Sequence, residues 1–219
     1  MLESAVGKIT GKHRASDVLT VQRIVNCRDD LRKPLPKLTE DGVYGTNTQA
    51  AIDHIQKQIL TNPDGRIDPF GVSIKRMWPL AYANPTGKAI RKSDHYGEGH
   101  FGASRGRRTH DGTDYVAIAG QHVKAPISGK VVKISRPYAS GVDAHILSGV
   151  HIVASDGTQC WVWYMQPAAN IVGKVVKAGD NIGIAKTLKN RYKKGITDHV
   201  HVRIHGRFGK KINPSTVIK

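Results

Sequence analysis

The 219-residue chain carries 34 Lys and Arg against 17 Asp and Glu, a formal net charge of +17, and 39% of its residues are hydrophobic. That apolar fraction is enough for a packed core and excludes a disordered tail, and no apolar run approaches bilayer-spanning length. The charge attracts polyanions, with nucleic acid and anionic envelope polymers as the two candidates, but it is spread from Lys8 to Lys219, and the 6% aromatic content argues against base stacking on single strands.

Residues 1–14, MLESAVGKITGKHR, are polar, basic and Gly-containing, and are expected to form a flexible lead-in. They hold no apolar h-region, so no cleavable secretion signal is expected. From Ser16 the pattern turns helical. SDVLTVQRIVN offers Ser16 or Asp17 as N-cap and then Val18, Val21, Ile24 and Val25 on one face. KPLPKLTEDGVYG reads as a loop with an Asp-Gly turn. TNTQAAIDHIQKQIL reads as a second helix, capped by Thr46 or Asn47, with Ala51, Ile52, Ile55 and Ile59 as its stripe. VSIKRMWPL reads as a short third helix, and residues 79–96, with two prolines, as a linker.

From Gly97 the character changes. Glycine becomes frequent, and KVVKIS, VHIVAS, CWVWYM, KVVKAG, NIGIAK and HVHVRI read as short strands. The expected architecture is two domains: a small all-α three-helix N-terminal module over residues 15–78, and a mainly antiparallel β domain over residues 97–219, built as a folded or sandwiched sheet. Cys27 and Cys160 are far apart and form no CxxC pair. That excludes a disulfide framework, and both read as buried free thiols.

Two segments carry chemistry. HDGTD places His110 and Asp114 four residues apart with Gly112 between them, where a sharp turn is expected. Near the C-terminus, TDHVHVRIHG alternates His199, His201 and His205 with aliphatic residues. Residues i and i+2 of a strand point the same way, roughly 6.5 Å apart. One imidazole can therefore coordinate a metal while its neighbour acts on water beside it. Together the segments offer three ligands, an open position and an adjacent imidazole, the layout of a zinc hydrolase. Read singly, HxxxD and HxH are more often a solvated loop and a surface strand. Arg105, Arg107 and Arg108 read either as a clamp for a substrate carboxylate or as a solvated basic loop. His54, His95, His100, His122 and His205 read as surface, loop or helix residues.

The first half, VLTVQRIVN…DGVYGTNTQAAIDHIQKQIL…PDGRIDP, resembles the three-helix peptidoglycan-binding domain of cell-wall hydrolases. A plain helical module that binds another protein is the alternative. The second half, FGASRGRRTHDGTDYVA…VKAPISGKVV…VVKAGDNIGIA…GITDHVHVRI, resembles the lysostaphin-type (LytM-type) zinc endopeptidases, β-sheet enzymes that cut peptide cross-links of peptidoglycan. This resemblance implies a Zn²⁺ held by His110, Asp114 and His201, with His199 acting on the nucleophilic water or the oxyanion. It also exposes a departure. A histidine of the Tyr-x-His-Leu motif is replaced, since Tyr164 is in place but Gln166 stands where that histidine falls. A glutamine amide can donate to an oxyanion but cannot take a proton. Tyr164 or Gln166 is a candidate second donor, and His145 and His151 are candidates for the missing imidazole.

The resemblance implies a peptidoglycan endopeptidase whose partner is peptidoglycan and whose charge adds attraction to anionic envelope polymers. A catalytically impaired peptidoglycan-binding protein is the alternative, and a non-specific nucleic-acid binder a lower one. Without a signal peptide, such an enzyme is made in the cytoplasm. It reaches the wall or periplasm through a holin-like pore, as a phage endolysin does, or through a dedicated secretion machine. The latter route adds a cognate immunity or delivery protein as a partner.

Overall fold

The computed structural model describes residues 1–138, 147–192 and 195–219. Four helices form the N-terminal module: α1 (Ala15–Cys27), the single turn α2 (Asp29–Arg32), α3 (Thr46–Ile59) and α4 (Val72–Met77). Val18, Val21, Ile24 and Val25 of α1 meet Ala51, Ile52 and Ile55 of α3, and Ile74 and Met77 of α4, in one apolar core.

Two buried glutamines tie the loops to this core. The Gln22 amide oxygen accepts from the Gly42 N–H at 2.9 Å while its nitrogen donates to Asp41, also at 2.9 Å. Gln56 repeats the arrangement with Gly65 and Asp64 at 2.6 and 2.9 Å. Both glycines take left-handed backbone, φ 73° and 72°, so each Asp-Gly pair is a turn pinned by a helix side chain.

The expected caps are not used. Arg14 and Gly45 stand at the two N-cap positions with no side-chain cap. The Asp17 carboxylate instead accepts the backbone N–H groups of Glu3 and Ser4 at 3.1 and 2.8 Å. That anchors residues 1–14, which are no flexible lead-in. Strand β1 (Val6–Gly7) pairs antiparallel with β2 (Arg66–Ile67), and Met1, Leu2 and Val6 are buried in the module core. The polar composition of the segment concealed these three apolar anchors.

The β domain holds two antiparallel sheets. The larger runs in the order β11 (Val175–Val176), β7 (Gly129–Ser135), β8 (Gly149–Val153), β9 (Gln159–Trp163), β13 (His199–His205), β14 (Lys211–Ile212). Strand β5 (Thr113–Val116) also pairs with β13. The smaller sheet is β10 (Met165–Pro167), β12 (Asn181–Ala185), β6 (His122–Lys124). A separate hairpin joins β3 (Ser104–Arg105) to β4 (Arg108–Thr109). Val150, Ile152, Val162, Val200, Val202 and Ile204 of the large sheet share a core with Val123 and Ile182 of the small one. Strand alternation then sends the odd-numbered residues of β13 and β9 to the opposite face.

Residues 79–96 are not a free linker. Tyr82 bridges to Ile127, Ile90 bridges to Tyr115, and the Arg91 side chain is buried. The two parts also dock directly. Trp78 is 2% exposed and donates its indole N–H to the Val176 carbonyl at 3.3 Å. Ser155 donates to the Trp78 carbonyl at 2.6 Å, and Arg23 to that of Gly173, also at 2.6 Å. Cys160 is buried as expected, but Cys27 is exposed at the end of α1. Among the described residues no helix is long and apolar enough to cross a membrane.

Candidate metal centre

The centre is built by strand register. His201 of β13 is the direct cross-strand partner of Asp114 on β5 and of Trp163 on β9. Residues directly opposite in an antiparallel pair share a face with their Cβ atoms about 5 Å apart. The Asp114 Oδ1 and His201 Nδ1 atoms consequently lie 2.9 Å apart. His110, just ahead of β5, brings its Nε2 to 3.1 Å from His201 Nδ1 and 3.2 Å from Asp114 Oδ1. All three side chains are buried. They form the group of metal-ligating type found among the described residues.

The triangle fits a zinc ion. Four ligands in a tetrahedron at 2.0–2.1 Å from the metal lie about 3.3 Å from one another, close to the observed edges. The electronics fit as well. The His110 Nδ1–H donates to the His100 carbonyl at 2.8 Å, which turns the Nε2 lone pair toward Asp114 and His201. Burial pushes the Asp114 carboxyl up, but its hydrogen bonds to His110 and His201 and the nearby imidazoles outweigh this and hold it well below the usual range. It is anionic at neutral pH, as a metal-binding carboxylate must be.

Gly112 serves this centre otherwise than expected, since it lacks a left-handed φ. A Cβ there would fall 2.3 Å from the Val202 carbonyl oxygen and 2.5 Å from His201 Nε2. Glycine is needed because the backbone lies against the imidazole.

His199 faces the same cavity. Its Nδ1–H donates to the Thr197 carbonyl at 2.7 Å, and its Nε2 lies 3.6 Å from Asp114 Oδ2. Burial lowers its pKa, against the opposing effect of Asp114. His199 is thus neutral near pH 7, with the Nε2 lone pair facing inward.

Tyr164 sits edge-on to His199, ring centroids 5.2 Å apart. Its φ of 69° is unusual for a residue with a side chain. It occupies the corner where the chain leaves β9 in the large sheet and enters β10 in the small one. Burial raises its phenol pKa well above the ordinary value, so the hydroxyl keeps its proton and can donate it in a hydrogen bond.

Gln166 is a correction. It lies beyond that corner on β10, paired with Ile184, with its side chain exposed and outside the cavity lining. His151 also stays outside. It stacks on Trp161 at 4.3 Å and bonds Gln159 at 3.1 Å. His145 lies outside the described residues. Arg105 and Arg108 both line the cavity of about 550 Å³ in front of the centre. Arg105 already donates to the Ser104 and Glu98 carbonyls.

Arg91, read from sequence as part of a linker, belongs to the centre. Its Nε and Nη2 lie 3.3 and 3.0 Å from Asp114 Oδ2, and its Nη1 lies 2.7 Å from Asp94. The guanidinium occupies one carboxylate oxygen and leaves Oδ1 to the triangle. Asp94 in turn accepts the Thr197 N–H at 2.9 Å, next to the carbonyl that orients His199. Nothing in the local pattern around Arg91 signals this role.

The sequence pattern of "Peptidase family M23" matches residues 108–214. Mouse leukocyte cell-derived chemotaxin-2 is 32% identical over 125 residues, 57% of this chain and 79% of that protein. The chain belongs to peptidase family M23. Among solved structures, Helicobacter pylori Csd3 aligns with a TM-score of 0.46 at 23% identity, over 64% of this chain and 33% of that one. Staphylococcus simulans lysostaphin, an antimicrobial peptidase, aligns with a TM-score of 0.45 at 20% identity, over 62% of this chain and 54% of that one. The chain thus spans a third to about half of these two structures. At such identities and scores they add nothing about chemistry, and the M23 membership rests on the sequence matches.

Proposed function

We propose that this M23 protein is a zinc-dependent endopeptidase that cuts peptide cross-links of bacterial peptidoglycan. The observation that carries the reading is the convergence of three ligand atoms, with edges of 2.9–3.2 Å, beside an inward-facing neutral imidazole. His110, Asp114 and His201 would hold the ion. Zinc supplies Lewis acidity there, lowering the pKa of water toward neutrality and polarising a carbonyl. His199 takes a proton at Nε2, and its Nδ1–H bond to Thr197 keeps that atom aimed at the cavity. The Tyr164 phenol supplies a donor to a developing oxyanion. Arg108, and Arg105 in part, hold a substrate carboxylate at the rim.

The helical module would keep the enzyme on its polymer and raise the effective concentration of cross-links. The net charge of +17 would add attraction to anionic envelope polymers. Action at the cell wall after release through a pore or a secretion machine belongs to the same proposal.

A second reading, a catalytically impaired binding protein, has an observation in its favour. Among the described residues, His199 is the only imidazole lining the cavity besides His110 and His201. The name of the mouse relative also speaks of chemotaxis, not hydrolysis. Digestion of purified sacculi with product identification by mass separates the two. New peptide termini that vanish with a chelator and with His199→Ala support the enzyme. Intact sacculi that retain the zinc-loaded protein support the binder.

A further inference from the structure

The second ring nitrogen of His201 is unaccounted for. Nδ1 faces Asp114, while Nε2 is buried with no hydrogen-bond partner. The carboxylate nearest to it is Asp111, whose Oδ1 lies 3.7 Å away. Asp111 is itself aimed by Arg203, whose Nη1 donates to Oδ2 at 3.0 Å. The Arg203 guanidinium lies over Trp161 and Trp163 at 4.3 and 4.7 Å from the ring centroids. Trp163 also stacks on the His201 ring, at 5.2 Å and 19°. From the other side, the Gly112 backbone lies so close to the imidazole edge that a single Cβ would strike Nε2. The segment carrying Asp111 is therefore pressed against the Nε2 edge of the ring, which looks away from the ligand triangle.

We propose that Asp111, aimed by Arg203, is a positioning residue that makes His201 an Nδ1 metal ligand. The inference rests on the zinc reading above. A neutral imidazole carries one N–H. A carboxylate beside Nε2 draws that proton to Nε2 and leaves the Nδ1 lone pair for the metal. It also fixes the ring orientation. The Asp111 side chain is 34% exposed, so it has room to close the remaining gap. The stacked Trp163 ring limits the His201 ring to its present plane. Arg203 keeps the carboxylate charged and pointed at Nε2, and its own position is held by the two indoles.

The experiment strips the full-length chain of metal and titrates zinc in competition with a chromophoric chelator. Asp111→Asn should weaken zinc binding by about 10–100-fold, with the melting temperature in EDTA unchanged. Asp111→Glu, which keeps the charge, should recover most of the affinity. Arg203→Met leaves Asp111 in place but unaimed, and should show a smaller loss in the same direction. In ¹⁵N-histidine spectra of the zinc form, the His201 proton should sit on Nε2 in wild type and lose its carboxylate-bonded shift in Asp111→Asn. Zinc affinity of Asp111→Asn within about twofold of wild type overturns the inference. So does a collapse of the metal-free fold in both Asp111→Asn and Arg203→Met, which would make the pair merely structural. A wild-type chain that binds no zinc overturns the zinc reading itself, a different result from wild type and variant binding alike.

Discussion

Asp114 and His201 are direct cross-strand partners, and this one register places Oδ1 and Nδ1 2.9 Å apart. A slip of one residue between β5 and β13 would send one of the two side chains to the opposite face. The pair is held by Val200 and Val202 packing in the core on the other side of the strand. Asp114→Asn keeps the shape and the register but removes the anionic charge. It should lower zinc affinity by more than about a hundredfold, as read by chelator competition, while the far-ultraviolet spectrum stays native. Retention of stoichiometric zinc by this variant would contradict the ligand assignment.

His199 should separate chemistry from metal binding. It lies outside the ligand triangle, and its Nε2 faces the cavity. His199→Ala should leave the zinc content near one per chain and lower turnover of a cross-linked peptide by about 10²–10⁴. Tyr164→Phe removes only the phenolic donor and should cost about 10². Turnover of His199→Ala equal to wild type would remove the imidazole from the mechanism, and an unchanged rate for Tyr164→Phe would reduce that residue to a wall of the cavity.

The candidate ligand types, and the strand that carries one of them, are legible in the sequence because period-two alternation in HVHVRI puts histidines and aliphatics on opposite faces. Their meeting is not legible, because register is a tertiary fact. Gln166 shows the limit from another side. A motif places it beside the site, yet the left-handed backbone at Tyr164 turns the chain into another sheet first. Arg91 shows it more sharply. A single arginine among Pro, Gly and Lys reads as solvated, and only its ion pairs with Asp94 and Asp114 explain its burial. In the helical module the Asp41-Gly42 turn was legible, but the buried amides of Gln22 and Gln56, which pin it and its counterpart at Asp64-Gly65, were not.

His151 should give the fold a pH dependence that has nothing to do with the metal. Burial, helped by Lys133, lowers its pKa to about 4, below the ordinary value near 6.5. Between these two values the unfolded chain takes up a proton that the folded chain refuses. Its contribution favours folding above pH 6.5 and is lost as the pH falls toward 4. His151→Phe keeps a ring on Trp161 and cannot titrate. Denaturant midpoints measured for metal-free protein between pH 4 and 7 should fall less steeply with acid in the variant than in wild type. Parallel curves would show that His151 is protonated in the folded state.

Arg91 should matter to the fold before it matters to the metal. Its guanidinium is 2% exposed and sits between two carboxylates, Asp94 at 2.7 Å and Asp114 at 3.0 Å. Removing one partner of a buried ion pair costs about 3–5 kcal/mol because the other charge stays buried and unpaired. Arg91→Met should destabilise the metal-free chain by about that amount in urea unfolding. Zinc should return part of the loss, since a cation at Oδ1 offsets the charge that Arg91 no longer balances. Asp94→Asn leaves Arg91 paired with Asp114 and keeps an acceptor for Thr197, so it should cost less than Arg91→Met. Equal losses in the two variants would place the main role of Arg91 in holding residues 94–97 rather than in balancing Asp114.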